Sequence, residues 1–153
     1  MDGATCAQTT SMSLARFEHD VIMADLNEPV IHLARRLRDG RVGCVVVTRE
    51  GRPVGIVTDR DLALRVVAEG RDPHKTKVSE IVTYDATTLP RDAGIDTAAR
   101  IMRERGVRRL PIVADDGRVV GMVTADDLTM LLAQELSDVG AGLAESVDSG
   151  DSR

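Results

Sequence analysis

Two segments of this chain place a hydroxyl and a carboxylate three residues apart, directly after an apolar run: Thr58-x-x-Asp61 and Thr124-x-x-Asp127. Each falls where a strand is expected to give way to a helix. The first backbone N–H groups of a helix lack partners and the helix dipole is positive there, so an anion is favoured. A carboxylate at that place accepts both hydroxyls of a ribose, and the threonine hydroxyl meets a sugar or phosphate oxygen. The same spacing has a second reading. Thr-x-x-Asp before an apolar run is a capping box that satisfies two orphan donors and stabilises by roughly 1 kcal/mol. Other chemistry lacks its residues: no nucleophile has an adjacent base, no glycine-rich phosphate loop appears, and no His, Cys and carboxylate cluster has metal-ligand spacing.

Composition narrows the classes further. The chain has 153 residues, a net charge of −5, and only Phe17 and Tyr84 as aromatics. Base-stacking modules need rings and duplex binders need basic surface, so neither fits, and no nucleic-acid partner is expected. No apolar stretch is long enough to span a membrane, no secretory signal pattern opens the chain, and Cys6 and Cys44 make a weak disulfide framework. A cytoplasmic, globular, non-membrane protein is expected.

The elements that position the Thr–Asp pairs come as a duplication. Gly51–Leu62 and Gly117–Leu128 are identical at eight of twelve positions, at an offset of 66. Upstream the offset is 65: Val30, Leu33, Ala34 and Leu37 match Ile95, Ala98, Ala99 and Met102, each set spaced as one apolar face of a helix. Each copy reads as a short strand (Val21–Met23; Thr87–Leu89), a helix (29–38; 95–105) stopped by Gly40 or Gly106, a hairpin, and a second helix (60–69; 126–136). The expected fold class is α+β: two β-α-β-β-α repeats, each too small for its own core, packed as a pseudo-twofold pair. Repeat 1 spans 19–70 and repeat 2 spans 81–137, joined by a linker at 71–80. Residues 1–18 read as a flexible tail and 138–153, rich in Asp, Ser and Gly, as a disordered acidic tail.

The duplicated Gly-Ile-Val-Thr-Asp-Arg-Asp-Leu (55–62) and Gly-Met-Val-Thr-Ala-Asp-Asp-Leu (121–128), with Val107-Arg108-Arg109-Leu110-Pro111-Ile112-Val113 before the second turn, resemble CBS domains. A tandem pair of these is called a Bateman module, and the resemblance covers about residues 19–136. It implies a non-catalytic regulatory module that binds AMP, ADP, ATP or a related adenosyl compound in a cleft between the repeats, requires no cofactor, and commonly dimerises. It also favours the nucleoside reading of Thr58, Asp61, Thr124 and Asp127. Arg108 and Arg109 are then the phosphate cations, able to grip bidentately; the alternative is an exposed pair at a strand end. The first copy has Gly43 and Cys44 at the matching positions, so one well-equipped and one poorer site are expected. Arg60, beside Asp61, is a third candidate cation or a solvated side chain. Val21, Ile22, Val42 and Val45 would line one adenine slot, and Thr88, Leu89, Val107 and Leu110 the other, unless they serve the core first. Gly43 would let the backbone approach a ring, or is an ordinary turn glycine.

The expected function is a stand-alone sensor that acts on an unknown regulated protein. The alternative is a structural dimerisation module with no nucleotide ligand. A homodimer is expected from the apolar helical faces that remain after the repeats pack.

Overall fold

In the computed structural model, which describes residues 14–18 and 20–148, the two repeats carry the same elements in the same order. Repeat 1 has β1 (Met23–Asp25), α1 (Val30–Gly40), β2 (Cys44–Arg49), β3 (Arg52–Thr58) and α2 (Asp59–Leu62), which passes into a π turn at Ala63–Val67. A two-residue strand, β4 (Thr83–Tyr84), follows the connection. Repeat 2 has β5 (Leu89–Pro90), α3 (Ile95–Arg105), β6 (Arg109–Val113), β7 (Val119–Thr124) and α4 (Ala125–Asp148). In both sheets the first strand runs parallel to the second, and the second pairs antiparallel with the third. A register shift falls at Val47/Thr48 and again at Ile112/Val113, the same place in each hairpin. The architecture is the α+β pair of repeats that the duplication predicts.

Strand alternation explains why these sheets need each other. Successive side chains on a strand point to opposite faces. Val45, Val47 and Val57 pack with Val30, Leu33 and Leu37 of α1 in one cluster, whereas Cys44, Val46 and Ile56 belong with Met122 and Val119 in another. Both faces of the first sheet are therefore covered, one by its own helices and one by repeat 2, so β2 reads as an unbroken apolar run. Leu89, Ala98, Met102, Leu110, Ile112 and Val123 make the matching core of repeat 2. The turns interlock as well. The Arg118 side chain lies over Gly51, the Arg52 side chain lies over Gly117, and Val119 N donates to Gly51 O at 3.1 Å.

Several expectations are corrected. Gly106 takes the left-handed conformation that ends α3 (φ 65°), but Gly40 does not end α1. Arg41 does, at φ 51°, with Val42 N bonded to Leu37 O. Gly40 instead leaves room for the tip of the Ile22 side chain, which a Cβ there would displace. Ala99, placed on the apolar face of α3 by the repeat, is exposed. Helix 60–69 is a short α-helix followed by a π turn. The acidic segment from 138 is helical as far as Asp148, its Ala, Leu and Glu content outweighing its glycines; residues 149–153 lie outside the described residues.

The largest correction concerns the segments that precede each repeat. Of the expected tail, residues 1–13 lie outside the described residues, but Leu14–Phe17 form a 3₁₀ turn with Leu14 fully buried in the core of repeat 2. Glu18 bridges Gly121 of β7, and its carboxylate accepts a bidentate pair of hydrogen bonds from Arg91, Nε to Oε1 at 3.1 Å and Nη2 to Oε2 at 3.0 Å. The expected linker 71–80 is likewise packed, with Thr76 and Val78 buried. From there Val78, Ile81 and Val82 enter the core of repeat 1, and Tyr84 pairs with Gly55 of β3. Each arm thus completes the repeat that it does not lead into.

Candidate functional site

Both Thr–Asp pairs sit where β3 meets α2 and where β7 meets α4, and both form full capping boxes. Asp61 N donates to Thr58 Oγ1 at 3.2 Å, while Thr58 N (2.8 Å) and Oγ1 (2.7 Å) donate to Asp61 Oδ2. The second pair repeats this at 3.1, 2.8 and 2.7 Å. The capping reading describes what one carboxylate oxygen does, and leaves the other. In Asp61 that oxygen, Oδ1, lies 3.5 Å from Arg65 Nη2, whose guanidinium also reaches Ile81 O and Thr83 Oγ1. In repeat 2 the matching residue is Leu131, and Asp127 Oδ1 has no partner among the described residues.

Two cavities flank the pseudo-twofold axis, and each takes one wall from each repeat. The first, about 240 Å³, sets Ile56, Thr58 and Asp61 of repeat 1 against Thr87, Val107, Arg108 and Arg109 of repeat 2, with Thr83, Tyr84 and Asp85 of the exchanged arm closing it. The second, about 330 Å³, sets Met122, Thr124 and Asp127 against Val21, Ile22, Val42, Gly43 and Cys44, with Asp20 at its edge. Ile56, Thr58 and Asp61 correspond through the repeat to Met122, Thr124 and Asp127, and Val107, Arg108 and Arg109 to Val42, Gly43 and Cys44; Thr83 and Tyr84 line the first cavity alone, and Arg109 lines both.

The candidate residues therefore fall into two groups. Thr58, Asp61, Val107, Arg108 and Arg109 meet in the first cleft, and Thr124, Asp127, Ile22, Val42 and Gly43 in the second, with Arg109 again. Leu110 is in neither: it is fully buried in the repeat 2 core, because it alternates with Arg109 on β6 and faces α3. Val45 and Leu89 are core residues for the same reason, and exposed Arg60 lines neither cleft. Arg108 is exposed and paired with Asp126 at 3.1 Å. Arg109 is half-buried, with no hydrogen bond or ion pair among the described residues. Sequence reasoning missed Ile56 and Met122, although the repeat places both two residues before a cleft threonine. Tyr84 and Asp85 had no such signal, since only the exchanged arm brings them to the cleft.

Burial pushes the Cys44 thiol above its ordinary value of 9.0; the nearby Arg109 charge opposes this and Asp59 adds to it. The folded chain keeps that proton where the unfolded chain loses it. Stability from this group is therefore full below the ordinary thiol value and falls as pH rises above it. Cys44, 8% exposed and 3.5 Å from Met122 Sδ, should label with a thiol reagent at pH 8 only at the rate of global opening. Rapid labelling at Cys44, resolved from labelling at Cys6 by peptide mapping, would contradict this burial.

With this geometry in hand, comparison with known proteins is specific. The CBS domain family model matches residues 16–68 and 78–134. The chain is 36% identical over 110 residues to the uncharacterized protein MK0525 of Methanopyrus kandleri, covering 71% of this chain and 56% of that protein's length. It is 34% identical over 118 residues to the CBS domain-containing protein YhcV of Bacillus subtilis, covering 77% of this chain and 81% of YhcV. Among solved structures, the CBS domain pair of MJ0100 in complex with 5′-methylthioadenosine and S-adenosyl-L-methionine superposes with a TM-score of 0.71 at 27% identity, over 80% of this chain and 97% of that one. The duplication, the paired sheets and both family matches agree: this chain belongs to the CBS domain family, as a tandem pair.

Proposed function

We propose that this chain is a non-catalytic, cytoplasmic regulatory module that binds an adenine nucleotide or related adenosyl ligand between its repeats and passes occupancy to a partner protein. The observation that carries this reading is the half-buried, unpaired Arg109 guanidinium facing a cavity whose other wall presents Thr58 and Asp61. Such an arrangement offers a cation for phosphate, a carboxylate for ribose hydroxyls, and Ile56 and Val107 as apolar faces for a base. Tyr84, half exposed beside them, is placed for an aromatic contact with the base. The solved MJ0100 pair, crystallised with two adenosyl compounds, supports the ligand class.

The test is a thermal-shift and calorimetric titration with AMP, ADP, ATP and 5′-methylthioadenosine, with GTP as control. A ligand at 100 times its Kd stabilises by about 2.7 kcal/mol, a shift of several degrees. Asp61→Asn or Asp127→Asn should remove part of that response. The complete capping boxes favour a second reading, a structural module with no nucleotide ligand; under it both variants lose stability while no ligand shifts the wild type.

Homodimerisation is part of the proposal. Leu132, Leu136 and Val139 stand exposed at i, i+4 and i+7 on α4, with Leu64 and Val67 exposed on the other terminal helix. Leu136→Glu is expected to convert a dimer to a monomer in light scattering; a wild type that is monomeric at high micromolar concentration sinks this element.

A further inference from the structure

The repeat symmetry assigns Arg109 to the first cleft, yet its side chain also lines the second. The guanidinium packs closely over Gly43: Arg109 Nη2 lies 3.2 Å from the point where a Cβ of Gly43 would be, so a side chain there would crowd it. The position that matches Arg109 in repeat 1 is Cys44, so symmetry returns no second cation.

The charge around the two clefts is consequently unequal. The first sets Arg108 and Arg109 against Asp61 and Asp85, and Arg65 lies against Asp61. Among the described residues, the second sets Arg109 alone against Asp20 and Asp127, and Asp127 has no cation beside it. Once a phosphate in the first cleft draws Arg109, the second keeps two carboxylates and no cation among the described residues. A second phosphate then meets a field of its own sign within a partly desolvated cleft, where Coulombic terms are larger than in water.

Resting on the reading of the clefts as adenosyl sites, we infer that Arg109 is a single cation shared between them, so that an anionic ligand in the first cleft excludes an anionic ligand from the second while leaving it open to an uncharged nucleoside. The two sites are coupled through one side chain with a choice of two positions, which gives negative cooperativity for nucleotides and none for nucleosides.

The experiment is calorimetric titration of the full chain with AMP and, separately, with adenosine as the uncharged probe. Adenosine should load two sites per chain. AMP should load one, with the second at least about tenfold weaker, and the AMP-saturated chain should still take one adenosine. Arg109→Met should weaken the tight AMP site and narrow the ratio between the two AMP affinities at least about threefold, the remaining ratio being due to Arg108, which lines the first cleft and not the second. Arg109→Lys keeps one charge and should keep the inequality, which separates loss of the cation from loss of fold. Two equal AMP sites in the wild type, a ratio of AMP affinities that Arg109→Met leaves unchanged, or a single adenosine site would each overturn the shared cation. If neither adenosine nor AMP binds, the adenosyl-site reading itself fails, and the shared cation with it.

Discussion

Leu14→Ala is expected to lower the unfolding free energy by about 2–5 kcal/mol, the cost of deleting a fully buried leucine and leaving its cavity. Leu14 lies at 0% exposure among Leu89, Ala98, Leu110 and Ile112, more than seventy residues away in the chain. A loose tail would predict a change within about 0.5 kcal/mol. The measurement is urea denaturation, in which a lower midpoint with an unchanged slope locates the loss in the folded state. An unchanged midpoint would mean that the arm does not complete repeat 2.

Gly55→Val should be as damaging, by a different route. A Cβ at Gly55 would stand 2.6 Å from Thr83 O and 2.4 Å from Val82 Cγ2. The first of these is backbone, so the arm itself must move; overpacking of this kind costs about 3 kcal/mol or more when backbone is displaced. Detaching β4 also removes Thr83 and Tyr84 from the wall of the first cleft. Two readouts should therefore fall together: the denaturation midpoint, and amide protection of Ile56 and Thr83, which pair across that edge. Loss of stability with protection at Ile56 intact would place the damage elsewhere.

What the sequence made legible was whatever repeats. Helices α1 and α3 each span eleven residues at an offset of 65, and the Thr–Asp pairs recur with bond lengths that agree within 0.1 Å. Local rules failed where tertiary contact decides. Gly40 looks like a helix stop, but it stands against the tip of Ile22 and Arg41 takes the strained cap instead. Leu110 looked like a cleft residue because it is an apolar side chain suited to line an adenine slot, and strand alternation sends it to the core. Arg109 itself was visible as a candidate cation for one cleft; its reach into the second passes over Gly43, which lies 66 residues upstream. The arms were illegible because their partners, Gly121 for Glu18 and Gly55 for Tyr84, lie far along the chain, and a short polar segment with one leucine carries no periodicity.

The exchange of arms changes what a single repeat can be. An arm that docks only on the other unit has no place to fold in a chain containing one unit, except on a second molecule. The pair is thus a swapped dimer made continuous by the segment between α2 and β5, which converts a bimolecular encounter into an intramolecular one at millimolar effective concentration. Synthesis order follows from this: the first arm leaves the ribosome long before β7 exists to receive it, so β7, made about a hundred residues later, is what finally fixes residues 14–18.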